Sequence, residues 1–224
     1  MIKNISNLGD AALYCDFGNE VNQEVNSKVI KYFKNIKEKE IEGITNLTPS
    51  YNKLIISFDL NLTNFKNLKK IIENLELNEL EKIKSNKIKI PICCDKEFAL
   101  DIKKLEKKLK MSEEKIYEIF FSKEYFCYMT GFIAGLPFLG DLDESLKSRR
   151  LETPRVKIPK GSVGLAEQFC NIYTFESPGG WNIIGNTPTN IFDKKNELKP
   201  NLINPGDTVV FEQISIDQFE KHNG

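Results

Sequence analysis

The stretch Ser177-Pro-Gly-Gly-Trp-Asn-Ile-Ile-Gly-Asn-Thr-Pro188 sets a short apolar run, Asn182–Ile184, between a Pro-Gly-Gly turn and a second Gly…Pro break. Glycine supplies turn geometry and proline interrupts both helix and ladder pairing, so the run reads as one short strand with tight ends. The same punctuation continues outward. Phe126–Met129, Ser162–Ala166, Ile172–Phe175 and Thr208–Gln213 are short apolar runs divided by Gly and Pro. Ten of the 13 glycines lie from Gly131 onward and seven of the nine prolines from Pro137, so beyond Tyr125 the chain reads as strands and loops only. That pattern is a small β-barrel or sandwich.

Toward the N-terminus the punctuation thins to three glycines and one proline in the first 86 residues. Ala11–Phe17 reads as a strand. Val21, Val25, Val29, Tyr32, Phe33 and Ile36 mark a helix over Glu20–Ile36. Gly43–Leu47 and Lys53–Asp59 are strands, and Phe65, Leu68, Ile71, Ile72 and Leu75 mark a helix over Asn64–Ile83. With Lys87–Cys93 as a closing strand the order is β-α-β-β-α-β, the ferredoxin-like signature. Phe98, Ile102, Leu105 and Leu109 form one further stripe, and Ser112 suits the N-cap of a following helix. The expectation is an α+β protein: a ferredoxin-like α/β domain over residues 1–86, then a β-barrel domain over 87–224.

The 224 residues carry 32 basic and 32 acidic groups, a balance that gives no global attraction to nucleic acid or to an anionic membrane. No apolar run approaches the ~20 residues of a membrane span, and the N-terminus lacks the apolar core of a signal peptide; a cytoplasmic location is expected. Five cysteines without C-x-x-C spacing form no disulfide framework, and with His222 as the one histidine no zinc or other metal site is expected. A Ser-His-Asp or Cys-His set would need His222 to fold back from the C-terminal end. Gly131-Phe-Ile-Ala-Gly-Leu-Pro-Phe-Leu-Gly140 lacks the Gly-Lys-Ser/Thr ending of a phosphate loop, and G-x-S-x-G is absent.

Two features remain as candidate chemistry. The chain has 29 lysines and three arginines (32 − 3 = 29), and all three arginines, Arg149, Arg150 and Arg155, fall within seven residues. A guanidinium grips carboxylate or phosphate through two parallel bonds that ammonium cannot copy. The cluster is either an anion clamp or a structural pairing with Asp141, Asp143 or Glu144. Pro178-Gly179-Gly180-Trp181 is either a surface the backbone opens to a ligand or a hairpin turn with Trp181 as a core plug.

The segment from Gly131 to Asp193 resembles the KipI family, also called allophanate hydrolase subunit 1 and, in bacteria, the B component of 5-oxoprolinase. The resemblance rests on GFIAGLPFLGDL at 131–142, RRLETPR at 149–155, VKIPKGSVGLA at 156–166, IYTFESPGGWNIIGNTP at 172–188 and IFD at 191–193. Pro205-Gly206-Asp207 to Phe211 matches the closing strand, and Gly9–Leu13, Phe17-Gly18 and Pro49–Asp59 agree more loosely. Four places depart from the family: Ala134-Gly135-Leu136 for P-G-F, Phe120 for a histidine, Phe169-Cys170 for Gln-Thr and Asn186 for the arginine of G-R-T-P.

The resemblance implies a cyclophilin-like C-terminal barrel. It implies a non-autonomous component of an ATP-dependent 5-oxoprolinase, with ATP handled by the complex. The implied partners are a KipA-like protein carrying a homologous barrel and a LamB/YcsF-like protein. The family's alternatives are a histidine-kinase inhibitor and a carboxyltransferase or allophanate-hydrolase component of urea metabolism. The expected substrate-binding residues are Arg149, Arg150, Arg155, Ser162, Ser177, Pro178, Gly179, Gly180, Trp181 and Thr187. A cleft at Gly179–Trp181 partly open in the isolated chain is expected as well.

Overall fold

A computed structural model describes residues 1–77 and 85–223. The chain divides into two compact units, Met1–Lys84 and Ser85–Gly224.

The first unit runs β1 (Asn4–Asn7), β2 (Ala12–Asp16), α1 (Gln23–Glu38), β3 (Ile44–Pro49), β4 (Lys53–Phe58) and α2 (Phe65–Glu73). Its sheet has the order β1-β2-β4-β3, every neighbour antiparallel. In β4 the buried positions are Leu54, Ile56 and Phe58, the period of two that places one face on the helices. Asn22 and Asn64 cap the two helices, their side chains accepting from the backbone N–H of Val25 and Asn67 at 2.9 and 3.0 Å. Three expectations change here. The edge position assigned to Lys87–Cys93 is filled by β1, which hairpins onto β2. The second helix ends at Glu73, where Asn74 turns its amide back to the Lys70 carbonyl at 2.7 Å; residues 78–83 of the expected helix lie outside the described residues. Ile71, expected on the inner face, is exposed.

In the second unit come β5 (Lys87–Cys93), α3 (Ile102–Leu109), α4 (Glu113–Phe121), β6 (Glu124–Thr130), β7 (Pro137–Gly140), β8 (Arg155–Ile158), β9 (Ser162–Ala166), β10 (Phe169–Ile172), β11 (Ser177–Gly179), β12 (Asn182–Asn186), β13 (Thr208–Ile214) and α5 (Ile216–Asn223). Seven of these strands close a barrel in the order β10-β7-β6-β13-β5-β12-β9, and β8 and β11 pair as a separate ribbon. The barrel core joins Ile90, Ile92, Cys127, Leu139, Val163, Leu165, Cys170 and Phe211 with Leu105, Ile116 and Phe120 of the two helices. Ser112 caps α4, accepting from the Lys115 N–H at 3.3 Å. α5 and a short 3-10 turn at Glu144–Leu146 correct the reading of strands and loops alone. The strand expected at Ile172–Phe175 lies three residues earlier, because Phe169–Ile172 pair with both β9 and β7 while Thr174 turns its hydroxyl to the Ala134 carbonyl. All five cysteines are buried and unbridged; burial pushes the thiols of Cys15 and Cys94 up to about 12.

Candidate functional site

The arginine segment between Leu146 and β8 has no regular structure of its own, so its shape is set by what it touches. Leu151 donates its N–H to the Gly180 carbonyl at 2.7 Å. The buried Asn182 amide nitrogen lies 3.1 Å from each of Ser148 Oγ, the Arg149 carbonyl and the Leu165 carbonyl. These contacts fasten the segment across β12 and β9. Arg149 and Arg150 are exposed, and neither forms an ion pair with a described carboxylate. Arg150 Nε lies over Gly180, where an added Cβ would sit 3.6 Å away.

Arg155 is placed differently. Its two terminal nitrogens bind both oxygens of Asp101 at 2.8 and 2.7 Å. Asp101 is fully buried and also accepts the Ile183 N–H at 2.8 Å, so the fork holds β8 to β12 and to the start of α3. A carboxylate without solvent requires such pairing. The acids that the sequence offered as structural partners are engaged elsewhere: Asp143 with Lys123, Asp141 with the Tyr128 hydroxyl, Glu144 with Lys147. Lys123, followed by Ser145, holds the Asp143 carboxyl well below the usual carboxylate range.

The remaining expected residues gather around Tyr173, a residue the sequence reading passed over. It is 1% exposed, and its hydroxyl occupies the space that a Cβ on Gly179 would need. The Asn171 side chain, Arg150, the Trp181 backbone and Arg155 each favour the ionised phenol. Burial outweighs these and raises the phenol above its ordinary value, so it stands as a neutral donor at physiological pH. Trp181 packs edge-on against Phe138 at 5.7 Å and lies on Gly164. Gly179, Gly180 and Trp181 are buried within the chain itself, which corrects the expectation of an open cleft there: Arg150, Leu151 and Pro154 cover Gly180. Pro178 is exposed at the ribbon, and the buried Ser177 Oγ has no hydrogen-bond partner among the described residues.

Ser162 and Thr187 form a second group. Ser162 pairs with Asn186 on β12, and Thr187 donates its N–H to the Gly161 carbonyl at 2.9 Å. The two groups meet through Tyr173, whose N–H reaches the Ser162 carbonyl at 2.9 Å and whose carbonyl accepts from Gly161 at 2.7 Å. The structure thus sets Gly179 against the Tyr173 phenol, with Arg150 and Arg155 within electrostatic reach, and joins Ser162 and, through Gly161, Thr187 to the Tyr173 backbone. Asp101, Asn171, Tyr173 and Asn182 complete the set.

The four departures from the family pattern are filled by packing. Phe120 stacks on Phe211 at 5.0 Å, Cys170 is in the barrel core, and Leu136 is fully buried. Asn186 donates to the Lys160 carbonyl at 2.9 Å. The glycine segment 131–140 does not fit a phosphate either: Phe192 lies against Gly135, and Tyr128 and Phe169 against Gly140. A cavity of about 900 Å³ lies elsewhere and holds none of the expected residues; Cys94, Asp95, Glu113, Tyr117 and Gln213 are among its lining. Among the described residues no group of three His, Cys, Asp or Glu side chains could hold a metal ion, and no helix is long and apolar enough to cross a membrane.

Residues 3–203 match the family model described as carboxyltransferase domain, subdomain C and D. The chain is 33% identical to the 5-oxoprolinase B component of Bacillus subtilis (strain 168), over 97% of this chain and 95% of that protein. It is 32% identical to the 5-oxoprolinase B component of Haemophilus influenzae, over 93% and 96%. The crystal structure of TTHA0988 superposes with a TM-score of 0.82 at 26% identity, covering 92% of this chain and 40% of that one. With a match of this extent on both counts, the chain belongs to the carboxyltransferase subdomain C and D family, the family that it shares with the B component of 5-oxoprolinase.

Proposed function

We propose that this chain is the B component of an ATP-dependent 5-oxoprolinase, opening 5-oxoproline to glutamate together with a KipA-like partner and a LamB/YcsF-like partner. The observation that carries the reading is the end-to-end match with two proteins bearing that component's name. The chemistry of the Tyr173 cluster agrees with a partial role. Arg149 and Arg150, two guanidiniums without an ion-pair partner among the described residues, suit the substrate carboxylate or a phosphorylated intermediate. The Tyr173 phenol is neutral and buried, so it braces Gly179 rather than abstracting a proton, with Ser162 joined to the Tyr173 backbone and Thr187 reaching it through Gly161. The Arg155–Asp101 fork positions the ribbon that carries Ser177, Pro178 and Gly179. The one carboxylate among these residues, Asp101, is tied to Arg155 and to the Ile183 N–H, and no imidazole joins them among the described residues, so we assign the base and the ATP site to the assembled enzyme.

Reconstitution with both partners tests this. ATP hydrolysis that depends on 5-oxoproline and on all three chains is the expected result; none in the full mixture overturns it. The family description favours one second reading, a carboxyltransferase component, and allophanate and urea offered to the same mixture separate the two.

A further inference from the structure

The edge of the N-terminal sheet is built for another strand. β3 has β4 on one side and no strand on the other among the described residues. Its sequence, Ile44-Thr-Asn-Leu-Thr-Pro49, contains no charge. Edge strands of natural proteins are ordinarily blunted by lysine, bulges or proline, since a free row of N–H and C=O groups pairs with any extended chain. Here a register shift between Ile44 and Asn46 and the missing N–H of Pro49 limit the two ends, leaving the middle open. Beside that middle lies a cavity of about 590 Å³, lined by the apolar Phe33, Ile41 and Leu47 and, at its rim, by Lys37, Glu40 and Glu42.

We propose that a second copy of this chain pairs with β3, antiparallel, about a two-fold axis at Leu47. Such an interface must be self-complementary, residue i meeting j and j meeting i. β3 meets that condition. Centred on Leu47, the axis sets Asn46 opposite the second copy's Thr48. Both side chains are exposed, and the same amide-to-hydroxyl bond already forms within one chain at 3.1 Å. Leu47 meets its own counterpart on the face turned toward α1, where the half-buried Phe33 leaves the groove to be filled. With no charge in the strand, no like charges are set opposite one another, the usual obstacle to a strand pairing with itself. A short ladder supplies the register, and Phe33, Ile41 and Leu47 supply the apolar burial.

Sedimentation velocity on the full chain, across a wide concentration range, tests it. A reversible dimer is expected. Asn46→Lys/Thr48→Lys sets lysines opposite lysines and weakens the dimer by more than about tenfold. Asn46→Asp/Thr48→Lys sets opposite charges there and keeps it. Both positions are exposed, and unchanged far-ultraviolet dichroism confirms that the fold is intact. Amide exchange at residues 46–48 should slow with dimerisation. A monomer at every concentration overturns the proposal, as does a dimer indifferent to the lysine pair. Protection of the β3 amides only after a KipA-like protein is added also overturns it, and assigns the edge to that protein.

Discussion

Arg155 and Arg150 stand five positions apart and do different work. Arg155→Lys keeps the charge but loses the fork on Asp101, and should lower stability by about 1–3 kcal/mol in denaturant titration. Asp101→Ala removes the buried acceptor of both Arg155 and Ile183 and should lower it by about 3–5 kcal/mol. Arg150→Lys should leave stability within about 0.5 kcal/mol, since its exposed side chain has no described ion-pair partner. If Arg150→Lys unfolds the chain and Arg155→Lys does not, the two roles are reversed. Asp143 gives a pH test. Its folded carboxyl is depressed, chiefly by Lys123, so its contribution is present above the ordinary carboxylate value of about 3.9 and fades as pH falls through the lower folded value. The stability deficit of Asp143→Asn should therefore be largest near neutrality and shrink in strong acid. The arginine composition singled out the segment, but the partner of Arg155 lies 54 residues away across the fold, and no local pattern reports such a pairing.

Among the elements, the β8–β11 ribbon packs closely where the Tyr173 hydroxyl meets Gly179. Gly179→Ala should destabilise by about 1–3 kcal/mol, the range for overpacking, and Tyr173→Phe in the same chain should return part of it by removing the colliding oxygen. Gly180→Ala, where the nearest atoms lie 3.6 Å from an added Cβ, should be close to neutral. A thermal-denaturation cycle on the four variants measures both effects; simple additivity of Gly179→Ala and Tyr173→Phe would show that the hydroxyl is not the obstacle. Elements with local signals were legible in the sequence. Ser112 marked the start of α4, and the alternation of Lys53–Asp59 marked β4. β1 was missed because four residues paired by a hairpin carry too short a pattern, and α5 because its charged stripe packs little more than Phe219 against Phe98.

For the molecule as a whole, the boundary falls just before β5. That strand has the length and alternation of the N-terminal strands, so sequence order alone assigned it to their pattern. Its partners β12 and β13 lie far along the chain, beyond the reach of periodicity. A fragment of residues 85–224 should fold cooperatively on its own, whereas one of residues 95–224 should not, because β5 is the only bridge between β12 and β13 in the barrel order. Near-ultraviolet dichroism of the two fragments decides the point; a native-like spectrum from the shorter one would show that the barrel closes without β5.

β5 and β13 pair in parallel, and the Asp207 carboxylate before β13 accepts from the Asn86 N–H across 121 residues. The first and last strands of the barrel are thus neighbours. During synthesis on the ribosome β5 emerges early and waits, its edge open, until almost the whole remaining chain has cleared the exit tunnel. Translation that stalls before Thr208 leaves two unpaired strand edges at once, on β5 and on β6. Nascent chains of this protein should accordingly depend on chaperone cover until the final stretch is released, and become protease-resistant in one late step.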